Sequence, residues 1–115
     1  MLVNADCTLY MVDGSAYRRI PVYGAHWENT KGANLNKTGS TAVDAIAVYI
    51  PFSFLPEEAL SERVSGRDYI LRGIIPDDGS DIRNTVAEHE AYTITSIKRC
   101  DFGSPAMQHW EIGGK

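Results

Sequence analysis

The sequence is short of almost everything that builds a chemical site. It has two cysteines, Cys7 and Cys100, far apart and outside any Cys-x-x-Cys arrangement. A zinc ribbon and a disulfide framework are therefore both unsupported, and the expected state is two buried, reduced thiols. The three histidines, His26, His89 and His109, have no second His or Cys at metal-ligand spacing. Neither a phosphate-cradling Gly-x-x-x-x-Gly-Lys nor a dinucleotide Gly-x-Gly-x-x-Gly is present, and Gly103-Ser104-Pro105 reads as a turn rather than a nucleophile elbow. Apolar runs fall well short of the ~18 residues of a membrane-spanning helix. The opening Met1-Leu2-Val3-Asn4-Ala5-Asp6 has neither a basic start nor an apolar h-region, so synthesis and first folding are expected in the cytoplasm. Acidic and basic residues are interspersed around a net charge of −4, without the basic stripe of a general nucleic-acid binder. Catalysis, cofactors and bound metal are accordingly not expected.

What is present is a chain of 115 residues with 43% apolar content, enough for one core and one domain over 1–115. Its pattern is short strands separated by turn chemistry. Cys7-Thr8-Leu9-Tyr10-Met11-Val12 suits a pleated, half-buried surface, and Asp13-Gly14 supplies a hairpin turn into an extended Tyr17–Trp27. Pro21 cannot donate to a ladder, so this second strand is expected at an edge or bulged there. In Asp44–Ile50, Ile46, Val48 and Ile50 share a face; Pro51 ends that strand, and Phe52, Phe54, Leu55 and Pro56 form an apolar corner. Pro56 is then suited to open a helical turn over Glu57–Leu60. Asp68–Arg72 reads as a strand closed by Gly73, Pro76–Ser80 as a turn, and Asn84–Glu88 as a short helix capped by Ser80 or Asp81. Tyr92–Lys98 and Met107–Ile112 complete about six strands, the last two joined as a hairpin through Cys100–Pro105. The expected fold is mainly β, a small antiparallel barrel or sandwich with one or two short helical turns and a long loop at 28–42.

That loop, from Glu28 to Ala42, is polar apart from Leu35 and alanines, and nothing in it supports a core of its own. A loop of this length inside a compact domain tends to be functional or disordered. We expect it to order only on neighbouring molecules, with Asn29, Lys31, Leu35 and Lys37 as interface candidates. In the last strand, Met107, His109 and Glu111 alternate with Gln108, Trp110 and Ile112. Trp110 either anchors the core or, if it faces solvent, anchors an interface; Met107, His109 and Trp110 complete the interface candidates. Other motifs read more plainly. Asp77, Asp78, Gly79 and Asp81 imitate part of a calcium loop but lack its spacing and terminal Glu. Asn36-Lys37-Thr38 is read as a chance glycosylation match. The neighbours in Arg18-Arg19 and Lys98-Arg99 point to opposite faces, so neither pair is a basic patch. Tyr10, Tyr17, Tyr23 and Tyr49 are the aromatics that an oligonucleotide-binding-like barrel would need on one face.

The closing Met107-Gln108-His109-Trp110-Glu111-Ile112-Gly113-Gly114-Lys115, with Tyr92–Ile97 and the Phe102-Gly103-Ser104 turn, resembles the minor-capsid or head–tail connector proteins of siphophages that infect Gram-positive bacteria. Asn4–Tyr10, His26-Trp27 and Asp68–Gly73 are similar to the same family's opening, early aromatic and central strand. The resemblance implies a β-barrel virion protein of the head–tail junction with no catalytic residues and no cofactor. It implies a head-closure (stopper) subunit in a homo-oligomeric ring, expected to be a dodecamer, between the portal or adaptor ring and the tail terminator or tail tube. Packaged DNA would pass through the lumen without specific binding, a role that suits the negative charge balance, and no membrane is involved. The alternatives are a tail-terminator or other neck protein, or a non-enzymatic, oligonucleotide-binding-like module.

Overall fold

The structure is a computed structural model that describes residues 2–29 and 44–115. Six strands form a closed, wholly antiparallel barrel: β1 (Ala5–Asp13), β2 (Ala16–Asn29), β3 (Ile46–Pro51), β4 (Tyr69–Arg72), β5 (Ala91–Cys100) and β6 (His109–Gly114). Around the barrel the order is β1-β2-β3-β6-β5-β4. Because β4 returns to lie beside β1, the first four strands make a Greek key. The one α-helix among the described residues, α1 (Ile82–Glu88), joins β4 to β5. The small β-barrel expected from the sequence is thus the fold.

Two long strands make the corners. β2 pairs with β1 as far as Ala25 and with β3 from His26 onward. β5 pairs with β4 over Ala91–Thr93 and then with β6. Each strand carries a bulge at its switch: Ala5↔Ala25 is followed by Cys7↔Val22, and Ile94↔Gly114 by Ser96↔Gly113. An extra residue resets the alternation, so Val22 and Ala25, three apart, both enter the core, as do Ile94 and Ile97. Pro21 meets both sequence expectations, sitting next to the bulge and at an edge. Asp6 O and Val12 N bond toward the β4 side, so the even residues of β1 turn their peptide groups away from β2. Pro21 pairs with Thr8 and therefore points its nitrogen to the edge that β3 does not reach.

The interior holds Leu9, Ile46, Val48, Ile50, Ile70, Ile112 and Trp110, all fully buried. β1 is buried on both faces, because the chain from Gly73 to Ile82 folds over its outer side. There Thr8 Oγ1 donates to Gly73 O (2.8 Å) and accepts from Ile75 N (2.9 Å), and Tyr10 donates its hydroxyl to Asp77 O (2.7 Å). Tyr10, Leu71 and Ile75 form a second, outer core with Tyr17 and Tyr69.

The link from β3 to β4, residues 52–68, crosses one end of the barrel as a strap. The helical turn expected over Glu57–Leu60 is a single turn bond, Ala59 N to Pro56 O (3.0 Å), and no helix forms. The barrel holds the strap by donors that read its carbonyls: Arg18 Nη2 to Ala59 O (3.1 Å), Arg99 Nη2 to Leu60 O (3.4 Å), Tyr17 hydroxyl to Arg67 O (2.8 Å), and the Trp110 indole to Leu55 O and Pro56 O (both 3.2 Å). Buried Asp68 closes the strap, accepting from Ser65 N (3.0 Å) and Val12 N (2.8 Å).

Candidate interaction surface

The closing motif is barrel wall. Trp110 is 0% exposed; Phe52 packs against its ring (5.7 Å between centroids) and the Arg99 guanidinium stacks over it at 5.1 Å. Of the two roles left open for Trp110, the core anchor holds, and as an interface candidate it is corrected, since no part of it reaches the surface. The two glycines are equally structural. Thr95, the extra residue of the β5 bulge, donates to Asp44 Oδ1 (2.7 Å) across β6 at Gly113. A Cβ on Gly113 would collide with the Asp44 carboxylate and lie 2.7 Å from Ser96 Oγ; one on Gly114 would press on Ile46 at 3.2 Å.

The tip of the β5–β6 hairpin differs from the wall. Met107, read from the sequence as strand, lies instead in a 3-10 turn over Pro105–Met107, and β6 begins at His109. Pro105 sets this turn, with Met107 N donating to Ser104 O (2.9 Å). Gly103 adopts φ +84°, which a side chain would strain. Gln108 then clamps the loop: its Nε2 donates to Asp101 O (3.0 Å) and Gly103 O (3.3 Å). This fixed loop projects Phe102 at 73% and Met107 at 67% exposure. The strap adjoins it through Phe52 N to Gln108 O (3.2 Å), and beyond it Phe54, 43% exposed, lies over Gly24, where a Cβ would sit 2.8 Å from its ring. One end of the barrel therefore presents three large apolar side chains, two of them on a rigid finger.

The other candidates are dispersed. His109 is half-buried, donates Nδ1–H to Met107 O (2.8 Å) and stands edge-on to Tyr49 at 6.0 Å. Asn29 is the exposed last residue of β2; Lys31, Leu35 and Lys37, like most of the 28–42 loop, lie outside the described residues. Phe102 was noted in the sequence only as part of a turn. A large aromatic beside glycine in a hairpin connection was the available signal for a projecting side chain. The four tyrosines are not gathered on one face: Tyr10 lies under the 73–82 segment, Tyr17 packs on Tyr69 (6.1 Å), Tyr23 is exposed, and Tyr49 sits on the outer side of β3. Burial first, then Glu28 and Glu111, raises the Tyr49 hydroxyl above its ordinary range.

Arg18 and Arg19 diverge as alternation requires, Arg18 to the strap and Arg19 to Ile75 O (2.7 Å). In the 77–81 turn, Asp77 accepts from the Thr85 hydroxyl (3.0 Å), and Asp78 is held below its usual range by the Ser80 amide. Among the described residues, no three His, Cys, Asp or Glu side chains are grouped to hold a metal ion, and no helix is long and apolar enough to cross a membrane.

No curated protein and no solved structure matches the chain. A family model described as a family of unknown function, DUF6751, matches residues 2–115. That match spans every strand of the barrel, the strap and the projecting hairpin, and the chain belongs to the DUF6751 family.

Proposed function

We propose that the protein is a structural subunit of a bacteriophage neck, a head-closure ring component that joins the portal or adaptor to the tail. The observation that carries this reading is the clamped β5–β6 tip. Exposed Phe102 and Met107 are hydrated in a lone subunit and gain free energy when a neighbour covers them, and a loop already fixed in one shape loses little entropy on docking. The resemblance of the closing motif to siphophage connectors adds weight in a specific way. Trp110, Gly113 and Gly114 are wall and core residues, so a chain sharing them shares the constraints of this barrel. The net charge of −4 suits a conduit through which DNA passes without adhering.

The test is deletion of the gene in the phage that carries it. Filled or DNA-leaking heads without tails are expected beside normal free tails, with infectivity restored by adding the purified protein. Infectious particles from the deletion, or a defect confined to capsid assembly or tail length, would place the function elsewhere.

A further inference from the structure

Ahead of β1 the chain is tied to the barrel at one residue and caught at another. Asn4 is the tie. Its amide donates to Ala25 O (2.8 Å), and its side chain donates to Trp27 O (3.2 Å) and accepts from Trp27 N (2.8 Å). Leu2 and Val3 lie beyond it, 79% and 41% exposed, and pair with no strand among the described residues, since the β1–β2 ladder begins at Ala5. So little buried apolar surface does not by itself hold them against the barrel. The catch is the ring of His26 on β2. Its Nδ1 lies 2.9 Å from Leu2 O, and its Nε2 lies 3.0 Å from Glu28 Oε2.

Both of these oxygens only accept, for neither a carbonyl nor an ionised carboxylate has a proton to give. The two contacts are hydrogen bonds at the same time only when the ring carries a proton on each nitrogen, which is its charged form. A neutral ring has one proton, so one nitrogen turns a lone pair toward an oxygen and that contact becomes repulsive. The bond to Glu28 is charge-assisted and the stronger of the two, so the remaining proton stays on Nε2 and Leu2 O is let go. Two titratable groups face the ring. Glu28 stands on its own strand, and Tyr49 on β3 packs against it with 5.9 Å between ring centroids. Glu111 of β6, opposite Tyr49 in register, is the next. The Tyr49 hydroxyl, raised above its ordinary range, keeps its proton wherever a histidine titrates.

We propose that His26 is a pH-sensitive latch on the N-terminal segment: the doubly protonated ring pins Leu2 beside β2, and loss of one proton frees Leu2 and Val3 as far as the tie at Asn4. The latch belongs to the barrel itself and does not depend on the neck assembly.

Nuclear magnetic resonance on the intact protein between about pH 5 and 8, where histidine changes charge, tests this. The Val3 amide shares a peptide unit with Leu2 O and reports on its bond. Its order parameter should fall from near the ~0.85 of rigid backbone to below ~0.6, with the same midpoint as the titration of the His26 ring. The ring nitrogen spectra should show the neutral form protonated on Nε2. Glu28→Gln should abolish the response. Its amide donates to Nε2, so a neutral ring keeps its one proton on Nδ1, facing Leu2 O, and the segment stays ordered across the range. His26→Phe keeps a ring on β2 without either nitrogen and should leave Leu2 and Val3 loose at every pH. A parent segment equally ordered at both ends of the range, a neutral parent ring protonated on Nδ1, or a Glu28→Gln variant that loosens as the parent does overturns the proposal.

Discussion

Replacing Trp110 with alanine removes the largest fully buried side chain in the protein. Loss of a buried tryptophan costs about 3–5 kcal/mol through lost transfer energy and the cavity left behind. Three local losses push toward the upper end. Leu55 O and Pro56 O lose their shared indole donor, the Arg99 guanidinium loses the ring beneath it, and Phe52 loses its neighbour. Against a total stability of about 5–15 kcal/mol, the change is a large fraction of the whole. At about 4 °C per kcal/mol for a domain of this size, the midpoint should fall by about 12–20 °C. Thermal unfolding followed by circular dichroism measures it, with Trp110→Phe as the milder control that keeps a six-membered ring in the site and loses the donor with the pyrrole part of the indole, so that its drop should be clearly smaller than alanine's. An alanine variant that melts within a degree or two of the parent would refute the placement of this side chain inside the barrel.

Gly113→Ala should destabilise by about 1–3 kcal/mol, because its methyl displaces the Asp44 carboxylate from Thr95; denaturant titration of Gly113→Ala, Asp44→Ala and the double variant should show the two losses to be non-additive. Burial, with Asp6 adding to it, pushes the Cys7 thiol from 9.0 up to about 12, so the folded chain keeps a proton that the unfolded chain releases. Stability should accordingly fall as pH rises through that window, and Cys7 alkylation at mildly alkaline pH should follow global unfolding rather than local access. Gln108→Ala should loosen only the tip: amide exchange over residues 101–107 should quicken while the melting temperature moves little, and a large drop in midpoint would mean that Gln108 supports the barrel itself.

The strands were legible because their apolar residues alternate and their ends carry Gly, Pro or Asp. Ile46, Val48 and Ile50 alone placed β3 in register with the core. The Pro21 argument also survived, since a missing donor restricts a strand whatever surrounds it. The reading broke down where tertiary contacts override local preference. Pro56 and the acidic residues after it suit a helix start, but the strap must reach across the barrel; beyond the one turn bond from Ala59 N to Pro56 O, its carbonyls at Leu55, Ala59 and Leu60 are taken by Trp110, Arg18 and Arg99. Met107 alternates correctly with His109 yet lies outside the strand, because Pro105 fixes a turn before pairing can begin. The projecting tip was the least legible feature. A period-2 pattern reports which side of a strand faces inward, and it is silent about a loop that has no sides.

The manner in which the strap is held bears on how such sequences can diverge. Every carbonyl that Arg18, Tyr17, Arg99 and Trp110 grasp belongs to the main chain, and a carbonyl is the same whichever residue bears it. Leu55 and Leu60, the two strap side chains buried in the interior, and the carboxylate of Asp68 are fixed by what they touch. Glu62 is held as well, its carboxylate accepting from Arg99 N (2.9 Å), but the other exposed positions, such as Glu57, Ser61 and Arg63, are free to drift without disturbing the attachment. Related chains should therefore keep the four donors while their straps become unalignable. That freedom would let each lineage reshape the surface the strap presents without touching the barrel that carries it.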